Sequence, residues 1–282
     1  MGIEHTIRPA AFWPPRQKTC HLYEALDYLQ QCRWVHTDVL RSLIGVLIWI
    51  MCLRRCSLCF LEHTFKFIDD NPPQKALLPP TVRRELQAVR DILGLIVADV
   101  GAPLSSIVWC ADAEGGERDL AALKAGKPTV FDPGGYGVVA TVLSGSEVER
   151  AARRSELHGC AVTETEKECI LVDPTRERSR LTPPMEVPTQ WFKHKWTEVD
   201  GGSWRKHDHI NLGEARGTLR IAEVISSNPK LHRMRHPLLS DNRVVVGCFS
   251  KGRSPSPSLN RILRRFASLQ LSTGMQMLLT WV

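Results

Sequence analysis

The chain has 282 residues, of which 43% are hydrophobic and 24% charged. That balance suits one large folded domain, or a domain with an appendage, and excludes a chain disordered throughout. A formal net charge of +7 favours an acidic partner, nucleic acid ahead of an anionic membrane surface.

Nine cysteines form an odd set, and Met1 to Pro15 has no apolar core of the kind a signal peptide needs. Reduced thiols and an intracellular location are expected, with cytoplasm and nucleus not distinguished. Leu22, Ala25, Leu26 and Leu29 recur at helical spacing. A second helical pattern starts at Thr37, a candidate N-cap, and runs to about Phe60. Within it, the apolar run Leu43–Leu53 lies between Arg41 and Arg54-Arg55. The run falls well short of the roughly 20 residues that span a bilayer, so a buried helix is expected and no membrane segment. Cys52, Cys56, Cys59 and His63 trace one face of that helix. Side chains spread over successive turns do not surround one ion tetrahedrally, so the spacing predicts a stripe of reduced, buried cysteines and not a zinc site.

Asp69–Pro73 and Pro79-Pro80 break the chain. A third helix is predicted from Thr81 to about Asp99, with Leu86, Val89, Ile92, Leu93 and Ile96 on one face. A boundary near Gly101-Ala102-Pro103 separates this helical segment, residues 16–100, from a second domain, residues 106–282. From Ser106 the pattern becomes that of strands: Ile107–Asp112, then Gly135–Leu143, with Gly134-Gly135 opening the second arm of a hairpin. Between them lies a polar insertion, Ala113 to Pro133, with a short amphipathic stretch at Leu120–Lys124. A third strand is placed within Cys169–Asp173, and Asp173–Pro188, rich in Pro, Arg and Thr, reads as an exposed loop. There follow a helix at Asn211–Ser227, a strand around Pro237–Asp241, a short helix to Lys251, a Ser/Pro loop, a helix at Leu259–Leu271 and a terminal strand at Met275–Val282. Strands grouped first, then strand and helix alternating, predict an α/β fold with a mixed sheet flanked by helices. The sequence carries no internal repeat, no Gly-x-Ser-x-Gly setting and no Gly-rich phosphate loop.

Asp112 ends a strand, Glu214 stands at the start of a helix, and Asp241 ends another strand. Carboxylates that converge from different elements repel one another and raise their pKa values unless a divalent cation sits between them, so Mg²⁺ or Mn²⁺ is the implied ligand. Two such ions activate a water and stabilise the leaving 3′ oxygen of a phosphodiester. Each acid also fits a purely local role. Asp112 suits the turn after its strand, Asn211 and Glu214 suit a capping box, and Asp241 suits an N-cap. In the C-terminal part, Leu259, Ile262, Leu263 and Phe266 supply an apolar helix face. Arg261, Arg264 and Arg265 are left outward, and with Lys251 and Arg253 they can bind duplex phosphates without reading sequence. The plainer reading of that face is a solvated helix surface. His207 and His209 flank Asp208 in a polar lead-in to the helix carrying Glu214.

The ordered set of acids and the segments around them resembles the ribonuclease H domain of retroelement reverse transcriptases. Trp109-Cys110-Ala111-Asp112 and Gly134-Gly135-Tyr136-Gly137-Val138-Val139 resemble that family's first hairpin. His209-Ile210-Asn211-Leu212-Gly213-Glu214-Ala215 is similar to the start of its first helix, and Ser240-Asp241-Asn242 to the end of its fourth strand. Lys251-Gly252-Arg253-Ser254, Leu259–Arg265 and Trp281-Val282 resemble the section that follows in retrotransposon versions. The resemblance covers about residues 106–282, and residues 20–100 look like the helical thumb or connection segment ahead of it.

What the resemblance implies is a ribonuclease H-like sheet and hydrolysis of RNA in an RNA–DNA hybrid. Asp112, Glu214 and Asp241 would hold Mg²⁺ or Mn²⁺. The insertion after Asp112 brings rival acids, Glu114, Asp119 and Asp132, of which Asp132 is the alternative first ligand. The family's fourth acid lies beyond the last strand, whereas the sequence ends at Val282, which implies impaired cleavage. The alternative function is a non-catalytic nucleic-acid-binding or structural remnant of a retrotransposon polymerase.

Overall fold

The structure, a computed structural model, describes residues 3–7, 10–115, 134–149, 152, 189–205 and 208–282. The helical elements in chain order are α1 (Arg16–Gln31), α2 (Thr37–Met51), α3 (Glu62–Asp70), α4 (Pro80–Ile92), α5 (Ile210–Ser226), α6 (Arg243–Lys251) and α7 (Pro257–Thr273). The strands are β1 (Glu4–Ile7), β2 (Ala10–Trp13), β3 (Trp34–His36), β4 (Lys75–Leu77), β5 (Ala98–Asp99), β6 (Ile107–Gly115), β7 (Gly134–Val142), β8 (Thr197–Ser203), β9 (Arg235–Ser240) and β10 (Gln276–Trp281). The insertion stretch Leu120–Lys124, the strand expected within Cys169–Asp173 and the loop Asp173–Pro188 lie outside the described residues, as do Asp119, Asp132 and His207.

The chain forms two compact units. Unit 1 comprises Met1–Pro103, Asn228–Met234 and Lys251–Met275; unit 2 comprises Leu104–Ser227, Arg235–Ser250 and Gln276–Val282.

Unit 1 is mainly helical, with small antiparallel pairings of β1 with β2, β2 with β5, and β3 with β4. Its apolar residues fall at helical spacing, and those are the ones buried. Leu22, Leu26 and Leu29 of α1, Leu40, Ile44 and Leu47 of α2, and Val82, Leu86 and Val89 of α4 share one core. The helical stretch Thr37–Asp70, taken as one, is long and apolar enough in composition to cross a bilayer. Its backbone breaks, however, and its apolar side chains Leu40, Ile44, Leu47, Ile50 and Met51 are buried in that core.

The break corrects the expectation of one helix to Phe60. Arg54 leaves helical geometry (φ −139°, ψ 76°) and Cys52–Leu61 winds as a tighter 3₁₀ segment. Its guanidinium donates to the carbonyls of Gln270 (3.1 Å) and Met275 (2.8 Å) at the C-terminal end of α7. A cation there satisfies orphan carbonyls and complements the negative end of the helix dipole. Gly252 packs directly onto the same segment. A Cβ at Gly252 would lie 1.8 Å from the Arg55 carbonyl oxygen, and its φ of +70° favours glycine as well.

The buried cysteine stripe is likewise corrected. Cys52 is exposed, Cys56 half-buried and Cys59 buried, all three free; Cys52 continues the outward stripe of Arg41 and Gly45 on α2, opposite the buried Leu40, Ile44, Leu47 and Met51. The helix expected over Thr81–Asp99 ends at Ile92, and Ala98–Asp99 turns to pair with β2 instead.

Unit 2 is built on a five-stranded mixed sheet in the order β10-β9-β6-β7-β8. β6, β7 and β8 run antiparallel in succession, whereas β9 lies parallel to both β6 and β10. A separate apolar cluster of Val108, Leu143, Val148, Trp191 and Leu239 packs in this unit. α5 packs closely against β6 through small residues. A Cβ at Gly213 or Gly217 would come within 3.3 Å of the Cβ of Ala113 or Ala111 respectively. Glycine against alanine, four residues apart on one helix face, brings the helix backbone down onto the strand.

Candidate metal centre

The parallel register of β6 and β9 levels two acids. Cys110 stands opposite Leu239, and two residues on, on the same face, come Asp112 and Asp241. Beside them, the close seat of α5 delivers Glu214. The main-chain N–H of Ala113 donates to Asp112 Oδ1 at 2.9 Å and reaches Glu214 Oε1 at 3.4 Å. One ligand atom from each of Asp112, Glu214 and Asp241 lies within 4.8 Å of the other two. Among the described residues this is the one group of His, Cys, Asp or Glu side chains arranged to hold a metal ion.

The electrostatics follow from the convergence. Glu214 is 5% exposed. Burial, then the charges of Asp112 and Asp241, push its carboxyl from 4.5 up to about 7. The neighbouring Cys110 thiol is pushed up to about 12, by burial first and then by the same three carboxylates. No Lys, Arg or His among the described residues pairs with any of the three acids. Carboxylates gathered without a cationic side chain fit a divalent ion with oxygen ligands, of the Mg²⁺ or Mn²⁺ kind.

The capping roles fall to other residues. His209 Nδ1 accepts from the Asn211 N–H (3.2 Å) and caps α5, so Asn211 and Glu214 do not form a capping box. Asn242 Oδ1 accepts from the Val245 N–H (3.1 Å) at the start of α6, which frees Asp241 from that task. Asn242 Nδ2 also donates to Asn211 Oδ1 (3.0 Å), tying the bend after β9 to the helix that carries Glu214.

Around the acids lie contacts that the sequence did not foretell, with Trp204 and Arg216 the residues newly drawn in. Tyr136 and Trp204 stack with ring centroids 4.6 Å apart, and Arg216, paired with Asp208 at 2.5 Å, lies over Trp204. Asp112 also lines an open cleft of about 410 Å³ with Glu114, Tyr136 and the glycines 135, 137 and 202. Trp281 Nε1 donates to the Asp241 carbonyl at 2.9 Å. An indole at the end of a terminal strand was the available signal for this last contact, since the parallel register sets Trp281 opposite Ser240.

The basic residues expected to face phosphate divide. Lys251, Arg253, Arg261 and Arg265 are exposed in unit 1. Arg264 corrects the expectation of an outward guanidinium. It is half-buried, donates through Nη2 to Glu85 (2.6 Å) and Glu62 (3.2 Å), and through Nε to the Cys59 carbonyl (3.0 Å). Glu85, 6% exposed, also accepts from the main-chain N–H groups of His63 and Thr64 and from the Thr64 hydroxyl. A buried carboxylate needs such a set of donors, and it draws Arg264 inward.

Comparison with protein-family models, curated proteins and solved structures found no match.

Proposed function

We propose that unit 2 is a ribonuclease H-like nuclease domain of retroelement type, acting on the RNA strand of an RNA–DNA hybrid inside the cell. The convergence of Asp112, Glu214 and Asp241 within 4.8 Å is the observation that carries the reading. Its support is the sheet order β10-β9-β6-β7-β8, with Asp112 inside β6, which runs on past it to Gly115, Asp241 directly after the parallel strand β9, and Glu214 near the start of α5. In this reading residues 16–100 are a connection-like helical segment.

Asp112, Glu214 and Asp241 would hold Mg²⁺ or Mn²⁺. Such ions, when bound, make a water nucleophilic near neutral pH and neutralise the leaving 3′ oxygen. The chain's own part is placement. Ala113 N–H fixes the Asp112 and Glu214 oxygens on one side. Glu214, pushed up to about 7 by burial and the neighbouring carboxylates, would be favoured in its ionised form by a bound cation. Exposed Lys251, Arg253, Arg261 and Arg265 supply sequence-independent phosphate contacts.

The test uses purified full-length chain and a labelled RNA–DNA hybrid. The expected result is cleavage of the RNA strand that requires Mg²⁺ or Mn²⁺ and disappears in Asp241→Asn. Salt-sensitive binding with no cleavage in either metal would assign the chain to the non-catalytic, nucleic-acid-binding class. Absence of binding at low salt refutes the nucleic-acid reading.

A further inference from the structure

The three acids are not held alike. Asp112 and Glu214 share the Ala113 N–H, whereas the Asp241 carboxylate takes no hydrogen bond or ion pair from a described residue. Its position is set by its main chain. That main chain is gripped from β10, because Trp281 Nε1 donates to the Asp241 carbonyl at 2.9 Å and the Val282 N–H donates to the Ser240 carbonyl at 3.0 Å.

The same indole has a second occupant. The guanidinium carbon of Arg243 lies 3.9 Å from the Trp281 ring centroid. Arg243 is exposed and forms no ion pair among the described residues, although Asp241 stands two positions before it. A guanidinium resting on an aromatic face gains cation–π attraction and stays ordered without giving up its N–H fork. A free, ordered fork suits two-point contact with a phosphate.

We propose that Trp281 couples the third acid to the substrate. Its N–H positions Asp241, and its ring face presents Arg243 to a phosphodiester beside the metal centre. The inference rests on the nuclease reading above. It makes Trp281 a positioning residue and Arg243 a substrate contact.

The experiment compares wild type, Trp281→Phe and Arg243→Met as full-length chains. It reads Mn²⁺ affinity by electron paramagnetic resonance, hybrid binding against NaCl concentration without Mn²⁺, and thermal melting. Trp281→Phe keeps an aromatic face and loses the N–H. Its Mn²⁺ affinity should fall about 2- to 10-fold, the worth of one net hydrogen bond, with melting within about 4 °C of wild type. The metal concentration needed for half-maximal cleavage should rise, while the rate at saturating metal is retained. Arg243→Met should bind Mn²⁺ at least as tightly as wild type and lower the slope of log affinity against log salt by about 0.7–0.9, one phosphate contact.

Unchanged Mn²⁺ affinity in Trp281→Phe, or a lowered maximal rate with unchanged metal requirement, overturns the positioning role. An unchanged salt slope in Arg243→Met overturns the phosphate contact. If wild type itself binds neither Mn²⁺ nor hybrid, the nuclease reading falls and takes this inference with it. Variants that match a competent wild type sink this inference alone.

Discussion

Glu214 offers a measurement that needs no substrate. Burial and the charges of Asp112 and Asp241 carry its carboxyl from 4.5 to about 7. At ~1.4 kcal/mol per unit, the whole shift corresponds to about 3 kcal/mol. Asp112 and Asp241 are exposed, so solvent screens part of their repulsion, and about 1–3 kcal/mol is the expected effect. The sign follows from proton binding. A carboxyl with a raised folded-state midpoint binds its proton more tightly when folded. Its stabilising contribution is therefore fully present below about pH 4.5 and is lost as pH rises through about 7.

In EDTA, the melting temperature should drop between pH 5 and pH 8 by about 2–10 °C relative to Glu214→Gln, which lacks the titration. Mg²⁺ or Mn²⁺ should restore more stability at pH 8 than at pH 5, because the cation favours the ionised form. A carboxyl-carbon NMR titration, with Glu214→Gln identifying the resonance, reads the midpoint directly. It should lie near 7 without metal and fall when metal is added. A metal-free midpoint in the ordinary carboxylate range would refute the crowded, buried arrangement from which the argument starts.

Packing predictions concern both units. In unit 2, Gly217→Val inserts a side chain where a Cβ alone already sits 3.3 Å from Ala111 Cβ. It should destabilise by about 1–3 kcal/mol and weaken Mn²⁺ binding by moving α5. Gly45→Ala, with nothing within 4 Å of the new carbon, should by contrast stabilise by about 0.4–1 kcal/mol. In unit 1, Glu85→Leu removes the buried partner of Arg264 and should cost about 3–5 kcal/mol in chemical denaturation. The double variant Glu85→Leu/Arg264→Leu should recover part of that loss, and a strictly additive result would show that the pair is not coupled.

The parts legible in the sequence were those written in local pattern. Short apolar runs in Val108–Ala111 and Tyr136–Val142 mark the central hairpin, and the helices at Ile210–Ser226 and Pro257–Thr273 follow from their spacing and apolar faces. Asp241 was legible because it directly follows a strand and Glu214 because it stands near the start of a helix, whereas β6 runs on past Asp112 to Gly115 and does not end there as expected. β8 was not, since Thr197–Ser203 contains Asp200-Gly201-Gly202 and resembles a turn. It is a strand because β7 offers it an edge, and that is a tertiary fact. The break at Arg54 was hidden for a similar reason, as the carbonyls that hold it belong to residues 270 and 275. Arg264 looked outward on a helical wheel, where a buried Glu85 on another helix is invisible.

The segmented make-up of the two units constrains how the chain acquires its structure during synthesis. β6 needs β9 beside it, and β9 needs β10, so when Ser227 leaves the ribosome the future centre of the sheet is still an open edge. α7, whose C-terminal carbonyls hold Arg54, is made later still. Neither unit is complete until the last turn of α7 and the strand after it have emerged. Until then the nascent protein carries an exposed strand edge and an Arg54 guanidinium without its carbonyl partners, the kind of interval in which chains misassociate.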